Sequence, residues 1–285
     1  MKDKQFIKTN YHCHCTFCDG HNTAEGMVQE AIKRGFSILG FSSHSLYPFA
    51  SSWHIPLQNF DAYCGEIRRL AQVYAEKLTV LCGFEADYVR NLSVPDKEAY
   101  RRFAPDYLIG SVHYITGDGG SFEADGSEES VRRGIELFFA GNAQRAVQTY
   151  FTLEREMLQS SKFDIIGHPD LIRKQNCKVR EKLFDEGADW YREELFATAK
   201  AIASAGVCVE INTGGMARGY LDGPYPSPDF LHILHEMGVP VTINSDAHRC
   251  EHLDYAFDEA IEYIKAAGYT ELAFYTADGF HTQQI

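Results

Sequence analysis

The sequence has no apolar run long enough to cross a membrane, and residues 1–5 lack the apolar core of a signal peptide. It is also short of positive charge, because 27 Lys and Arg residues face 40 Asp and Glu residues and leave a formal net charge of −13. This balance argues against nucleic acid or an anionic membrane surface as the main partner. We therefore expect a cytoplasmic protein that acts on a small molecule, with its oligomeric state left open.

The chain also lacks a Ser-, Gly- or Pro-rich linker, a low-complexity tract and an internal repeat. At 285 residues, of which 45% are hydrophobic, it is long enough for one large α/β domain with a substantial core. We therefore expect residues 1–285 to form a single domain. The eight cysteines are scattered along the chain, and a cytoplasmic protein of this size is expected to keep them reduced.

Short apolar runs alternate with longer amphipathic segments, which is the pattern of β-strands followed by α-helices. Strands are predicted at residues 6–14, 36–42, 78–84, 107–112, 163–167, 207–213 and 240–244. Helices are predicted near 22–35, 57–77, 127–161 with a break at Gly141–Asn142, 181–205, 228–238 and 253–267, with a closing strand near 271–275. This order predicts a parallel α/β barrel, distorted or incomplete because it has seven strands rather than eight. A doubly wound sheet is the alternative, although no glycine-rich phosphate loop follows the first strand.

The end of the first predicted strand is rich in metal-binding residues, since residues 10–22 read NYHCHCTFCDGHN. Side chains alternate between the faces of a strand, so His12 and His14 are expected on one face and the adjacent cysteines on the other. Two imidazoles on one face can hold a metal ion, and Asp19 or His21 can add a loop ligand. A polar turn with incidental histidines, or a thiolate or iron–sulfur site, are the weaker alternatives.

Metal-binding side chains also follow most of the other predicted strands, at the carboxyl ends that carry the chemistry of α/β barrels. With the first cluster, they are His12, His14, His44, Glu85, His113, His168, Asp246 and His248. Nitrogen and oxygen ligands without thiolates suit zinc, manganese or iron. These ligands exceed what one ion uses, so two to three divalent ions are predicted, with Glu85 or Asp246 as a bridge.

Seven motifs place these residues in a pattern that resembles a known family. They are HCHCTFCDG from residue 12, SSHS from 42, GFEADY from 83, GSVHYI from 110, GHPD from 167, VEINTGG from 209 and NSDAH from 244. Together they resemble the PHP (polymerase and histidinol phosphatase) superfamily over residues 6–281. GSVHYI and the NTGG…RGY…PYPSP stretch resemble its histidinol-phosphatase branch.

The resemblance implies a distorted (βα)7 TIM-like barrel with a trinuclear metal site. Its ligands would be His12, His14, Asp19 or His21, His44, Glu85, His113, His168, Asp246 and His248. It also implies a phosphomonoesterase of histidine biosynthesis that hydrolyses L-histidinol phosphate to L-histidinol and phosphate. A metal-activated water would attack phosphorus as hydroxide, so no protein nucleophile is needed. Asp246, Glu85 and His248 are then the expected catalytic residues.

Seven further residues are predicted to contact or orient the substrate. Arg218 lies in a glycine-flanked loop after the sixth strand, where its guanidinium could fork onto a phosphate. Glu210 and Asn212 share a face of that strand and are expected to orient the substrate or the metal ligands. Tyr114, Trp53, His54 and Tyr225 are expected to shape a pocket for an imidazole ring.

Other functions are compatible with parts of this pattern. A related phosphatase could act on another small phosphate ester, such as a nucleotide or sugar phosphate. An amidohydrolase barrel also opens with His-x-His, but it usually carries a Lys at the end of its fourth strand, where this chain has Ser111-Val112-His113. A non-catalytic metal-binding module is the remaining alternative, and the full set of ligands argues against it.

Overall fold

Parallel strands alternate with helices along the chain, as the sequence pattern predicts. The computed structural model describes residues 6–48, 51–276 and 278–285. The strands are β1 (Thr9–Asn10), β2 (Ile38–Phe41), β3 (His44–Ser45), β4 (Thr79–Asp87), β5 (Tyr107–Ser111), β6 (Tyr114–Gly117), β7 (Gly120–Glu123), β8 (Ile165–Ile166), β9 (Cys208–Asn212), β10 (Val241–Asn244), β11 (Glu271–Thr276) and β12 (Gly279–Gln284). The helices are α1 (Ala24–Lys33), α2 (Phe60–Val73), α3 (Glu128–Phe139), α4 (Ala143–Ser160), α5 (Asp189–Ala205), α6 (Gly214–Ala217), α7 (Pro228–Glu236) and α8 (Phe257–Ala266).

Seven strands form one parallel sheet in the order β1, β2, β4, β5, β8, β9 and β10, and the short β3 extends this sheet by pairing with the end of β4. The sheet closes on itself almost completely, because the segment after β1 also reaches the segment after β10. There Cys13 forms a parallel bridge with Ala247, and His14 N donates to Ala247 O at 2.9 Å. The predicted distorted (βα)7 barrel is therefore confirmed, and the doubly wound open sheet is wrong.

The seam of the barrel, where the first strand β1 meets the last strand β10, is joined by side-chain hydrogen bonds more than by regular backbone pairing. Asn10 Nδ2 donates to Ser245 Oγ at 2.6 Å, and Asn244 Oδ1 accepts from Tyr11 N at 2.8 Å. Side-chain bonds of this kind replace backbone pairing, so β1 ends at Asn10 instead of continuing to residue 14 as predicted. The barrel is distorted at this seam.

Several predicted elements end elsewhere in the structure. The break at Gly141–Asn142 is confirmed, because Asn142 Oδ1 accepts from Arg145 N at 2.9 Å and begins α4 as its N-cap. Helices α2, α5 and α8 are shorter than predicted, and a 3₁₀ turn precedes α2. The predicted closing strand is corrected, because β11 pairs antiparallel with β12 in a separate two-stranded sheet. The barrel is closed instead by contacts between the segments that follow β1 and β10.

All eight cysteines are free, as the sequence predicts, and Cys13 and Cys15 are buried in the core. Within the part of the chain that is described, no helix combines the length and the apolar character that a membrane span requires.

Tyr107 lies in a buried cluster with Tyr11, Ile38, Leu81, Ile109, Ile165 and Cys208, and it needs two glycines beside it. The Tyr107 hydroxyl donates to the backbone oxygen of Tyr11 at 2.5 Å, and its ring lies against Gly40 and Gly83. A Cβ atom at Gly83 would lie 2.6 Å from two ring carbons, closer than real Cβ contacts. The absence of side chains on β2 and β4 therefore lets one tyrosine occupy the centre of the sheet.

We expect Gly83→Ala to destabilise the protein by about 1–3 kcal/mol, because the added methyl group overpacks the barrel interior. Urea unfolding followed by circular dichroism measures this change. Gly65→Ala is the matched control, since no atom lies within 4 Å of a Cβ there and helix α2 should gain about 0.5–1 kcal/mol. Equal midpoints for Gly83→Ala and wild type would contradict the role of Tyr107.

Candidate metal centre

The predicted ligands converge at the carboxyl ends of the barrel strands, because parallel strands deliver their last residues to one edge of the sheet. Seven of them are almost fully buried: His12, His14, His44, Glu85, His113, His168 and Asp246. His248 and the loop residue Asp19 lie at the more accessible side of the same cluster.

Glu85 of β4 is the centre of this cluster. Its Oε2 atom lies 2.8 Å from His44 Nδ1 and 3.0 Å from His12 Nε2. Its Oε1 atom lies 2.9 Å from His168 Nε2 and 3.4 Å from His113 Nε2. One fully buried carboxylate therefore faces imidazoles from four different segments of the chain.

Asp246 forms a second centre beside Glu85. Its Oδ1 atom lies 3.2 Å from His14 Nε2 and 3.6 Å from His12 Nε2, while its Oδ2 atom accepts from Arg218 Nη2 at 2.8 Å. Asp246 has a φ of 47° and His168 a φ of 24°, values that side chains other than glycine rarely adopt. Strained backbone of this kind is common at functional sites, and its free-energy cost is offset by favourable contacts in the rest of the protein.

The loop after β1 contributes Asp19 and not His21. Asp19 Oδ2 lies 3.2 Å from His248 Nε2, and Asp19 Oδ1 lies 3.8 Å from His44 Nε2. The backbone N of His21 donates to His248 O at 2.8 Å, and this bond leaves its side chain exposed and outside every ligand group among the described residues. The prediction of His21 as a ligand is therefore corrected.

The donor atoms fit divalent metal ions. Four overlapping groups each bring their donor atoms within 4.8 Å of one another: His14, Asp19, His44 and His248; His12, His14 and Asp246; His12, Glu85 and His168; His44, Glu85 and His113. Four of these atoms are buried without a hydrogen-bond partner, namely His12 Nε2, His14 Nε2, His44 Nδ1 and Glu85 Oε2. Buried polar atoms are rarely left unsatisfied, and nitrogen and oxygen donors of this kind bind zinc, manganese or iron.

The surrounding cationic groups favour the ionised form of the carboxylates at both centres. Burial alone would raise the pKa of Glu85, but the imidazoles of His12 and His44 hold it well below its usual range. Burial opposes ionisation of Asp246 in the same way, and the charges of Arg218 and His12 hold its pKa well below normal. Divalent ions that replaced the protons of these imidazoles would supply the same positive charge to both carboxylates, which is the electrostatic requirement of a metal centre.

Glu210 and Asn212 of β9 lie behind the ligands. Glu210 Oε2 accepts from His12 Nδ1 at 2.8 Å, and Glu210 Oε1 accepts from the backbone N of His168 at 2.9 Å. Asn212 Nδ2 donates to Glu210 Oε1 at 2.7 Å. Both side chains are fully buried, so they orient the ligands. Of the two predicted roles, this position favours orientation of the metal ligands over contact with the substrate.

Asp87 links two imidazoles behind the cluster and was missing from the predicted site. Its Oδ1 atom accepts from His113 Nδ1 and its Oδ2 atom from His54 Nε2, both at 2.6 Å. Burial would raise the Asp87 pKa, but His113 and His54 lower it to about 2. Since His54 is buried against Asp87, its prediction as a substrate contact is corrected. The i, i+2 spacing of Glu85 and Asp87 on one strand is the sequence signal for this pair.

A cavity of about 350 Å³ opens over the cluster. Six ligands line it: Asp19, His44, His113, His168, Asp246 and His248. Arg218 lines it as predicted, and Lys174 is a second cation that the sequence did not indicate, because it lies in an irregular turn after β8. The Lys174 ammonium is 4.2 Å from the centre of the Tyr220 ring, another unpredicted wall residue.

Trp53 forms an aromatic wall of the cavity and Tyr225 lines it as well, so the structure places both where the sequence predicts them. Its ring centre lies 4.7 Å from that of His44, and Tyr114 packs nearly parallel behind it at 5.9 Å. Tyr114 itself does not line the cavity. Its prediction as a substrate contact is therefore corrected, since Tyr114 supports the wall that Trp53 presents.

The distorted (βα)7 barrel carries imidazoles and carboxylates at the carboxyl ends of its strands. These features place the protein in the class of metal-binding α/β barrels. Within that class, residues 10–214 match the model of the family described as the PHP domain. This match spans well over half of the 285 residues, and the chain belongs to the PHP domain family.

Individual relatives agree with this assignment. A probable histidinol-phosphatase of Deinococcus radiodurans is 28% identical over 270 residues, covering 92% of this chain and 95% of the relative. The structure of a candidate histidinol phosphatase of Listeria monocytogenes matches with a TM-score of 0.78 at 21% identity, covering 88% and 99% of the two chains. A histidinol phosphate phosphatase of Lactococcus lactis, complexed with zinc, L-histidinol and phosphate, matches with a TM-score of 0.72 at 22% identity, covering 96% and 98%. The two structures show the same fold.

We expect Asp87→Asn to weaken metal binding by roughly 10- to 100-fold, because the amide can no longer accept from both His113 and His54. Competition with a chromophoric chelator measures the affinity. Asp106→Asn is the matched control, since this exposed carboxylate accepts from Cys82 N at the amino end of β5, away from the cluster. Equal metal affinities for the two variants would show that Asp87 does not position a ligand.

Proposed function

We propose that this protein is a metal-dependent phosphomonoesterase that hydrolyses L-histidinol phosphate to L-histidinol and phosphate in histidine biosynthesis. The observation that carries the proposal is one cavity that combines the ligand cluster with the cations Arg218 and Lys174. In a chain of net charge −13, a phosphate dianion needs such local positive charge. The substrate is the one that the names of the relatives indicate. A cytoplasmic location and a single domain over residues 1–285 belong to the same proposal, on the basis of composition.

The cofactor part of the proposal is two to three divalent ions. Zinc is the first choice because the L. lactis structure contains it, and manganese and iron suit the same donors. Glu85 and Asp246 each face two or more imidazoles, so either carboxylate would be shared between ligand groups, and His248 with Asp19 would hold an ion at the accessible side. Such ions, when bound, activate water near neutral pH and neutralise charge on phosphoryl oxygens.

The side chains of the protein bind and orient the phosphate. Arg218 Nη2 donates to Asp246 Oδ2 at 2.8 Å and Nη1 donates to the Asp246 carbonyl oxygen at 3.0 Å, which holds the guanidinium at the edge of the cluster. A guanidinium has five N–H donors in a planar fork, so Arg218 can bind phosphate oxygens while it keeps Asp246. Lys174 adds a compact positive charge in the same cavity.

The test of the substrate is a panel of phosphate esters. We expect protein reloaded with zinc, manganese or iron to release phosphate from L-histidinol phosphate with a kcat/KM at least about tenfold above that for p-nitrophenyl phosphate, a nucleoside monophosphate or a sugar phosphate. Elemental analysis of the same samples should approach three ions per chain. Asp246→Asn should lower both bound metal and phosphate release, because it removes the carboxylate charge from the ligand group that Asp246 forms with His12 and His14.

Two results would contradict the proposal. Equal efficiency with p-nitrophenyl phosphate or a nucleotide would reject L-histidinol phosphate as the preferred substrate. A metal content that never exceeds one ion per chain would reject the multinuclear centre.

We expect Arg218→Ala to reduce kcat/KM for L-histidinol phosphate about ten- to hundredfold, since a charge-assisted hydrogen bond contributes roughly 1.5–3 kcal/mol. The loss should fall mainly on KM, because the contact exists in the ground state and the transition state alike. Arg218→Lys should restore only part of it. Steady-state kinetics measures these effects, and Arg133→Ala, which removes an exposed cation on α3, is the matched control. An unchanged kcat/KM for Arg218→Ala would show that a residue other than Arg218 binds the phosphate.

A further inference from the structure

The ring of His168 lacks the outer partner that other ligands of the metal centre have. His12 Nδ1 contacts Glu210 and His113 Nδ1 contacts Asp87, each at hydrogen-bond distance. His168 Nδ1 is buried and has no hydrogen-bond partner among the described residues. Its backbone also has a φ of 24°, which is an unusual value for a residue other than glycine. The direction of the His168 ring therefore depends on the groups that hold its backbone.

A hydroxyl group from helix α4 holds the turn that begins at His168. The turn is closed by a bond from Leu171 N to His168 O at 2.9 Å. Tyr150 is fully buried, and its hydroxyl accepts from the same Leu171 N at 3.2 Å and lies 3.4 Å from His168 O. One oxygen atom therefore contacts both ends of the turn, and it limits the movement of the backbone that carries the ring.

Glu154, which lies one helical turn after Tyr150, fixes this hydroxyl. Its Oε1 atom accepts from the Tyr150 hydroxyl at 2.8 Å, and a hydroxyl can donate one bond while it accepts another. Glu154 is fully buried, and its Oε2 atom has no hydrogen-bond partner among the described residues. Burial raises the pKa of Glu154 well above its usual range, which favours the neutral carboxyl group. Burying a carboxyl group costs folding free energy, and the bond to Tyr150 offsets part of that cost.

We propose that Tyr150 and Glu154 are positioning residues of the metal centre, and that they hold the His168 ring through its backbone. His168 Nε2 lies 2.9 Å from Glu85 Oε1, at the centre of the ligand cluster. The backbone N of His168 donates to Glu210 Oε1 at 2.9 Å, so Glu210 fixes one side of this backbone and Tyr150 fixes the other. The inference rests on the cofactor part of the proposed function, since it requires that His168 binds an ion.

The experiment compares zinc binding by Tyr150→Phe and by wild type, in competition with a chromophoric chelator. We expect Tyr150→Phe to lose about tenfold in affinity for one of the bound ions, because outer partners of metal ligands have effects of this size. The visible absorption spectrum of the cobalt-loaded protein should also change, since the direction of a ligand changes. Tyr269→Phe is the matched control and should change neither result, because its hydroxyl donates to Val239 O at 3.0 Å, at the amino end of β10.

Variants of Glu154 test whether the hydrogen bond itself is required. Glu154→Gln keeps a group that can bond to the hydroxyl and should retain the wild-type zinc affinity, whereas Glu154→Leu should lose as much affinity as Tyr150→Phe. The double variant Tyr150→Phe/Glu154→Leu should lose no more than either single variant, because both changes act through one hydroxyl.

A lower unfolding temperature with unchanged zinc affinity in Tyr150→Phe would show a purely structural role and overturn the inference. Losses of affinity that multiply in the double variant would also overturn it, because the two residues would then act independently. If zinc affinity depends on Tyr150 as expected but wild type releases no phosphate from any ester, the inference is supported and the proposed function is rejected.

Discussion

The mouth of this barrel depends on the burial of one ionised carboxylate. Glu85 has no exposed surface and faces the imidazoles of His12, His44, His113 and His168. An isolated charge at such a depth would be prohibitive, so it has to be surrounded by cations and hydrogen-bond donors. Four strands and their loops must therefore end at the correct place for Glu85 to stay ionised. Divalent ions between these groups would also supply the positive charge that Glu85 requires, and they would activate water for hydrolysis.

A second layer of carboxylates holds the imidazoles in turn. Glu210 accepts from His12, and Asp87 accepts from His113, so each of these ligands directs its other ring nitrogen towards Glu85. Partners of this kind fix both the tautomer and the orientation of a metal-binding histidine. The ligand geometry is therefore built into the strands before any ion binds, at the cost of strained backbone at His168 and Asp246.

The strand-borne part of this site could be predicted from the sequence, because side chains at the carboxyl ends of parallel strands share one edge of the sheet. That rule placed His44 and Asp246 together although about two hundred residues separate them. Residues on loops follow no such period. Lys174 and Asp125 reach the cavity through irregular segments, whose paths depend on side-chain contacts such as those of Gln175 with the backbone on either side of Asp125.

By itself, the sequence determined the seven β/α units, the buried cysteines and the nitrogen and oxygen chemistry of the ligands, because hydrophobic periodicity and residue type are local properties. Only the tertiary structure decided that Asp19 and not His21 joins the ligands, and that Glu210 and His54 lie behind them rather than at the cavity wall. Several side chains have suitable donor atoms, and their roles depend on which of them are buried by segments distant in the sequence. That choice is made by packing and burial across the closed barrel, which no local pattern contains.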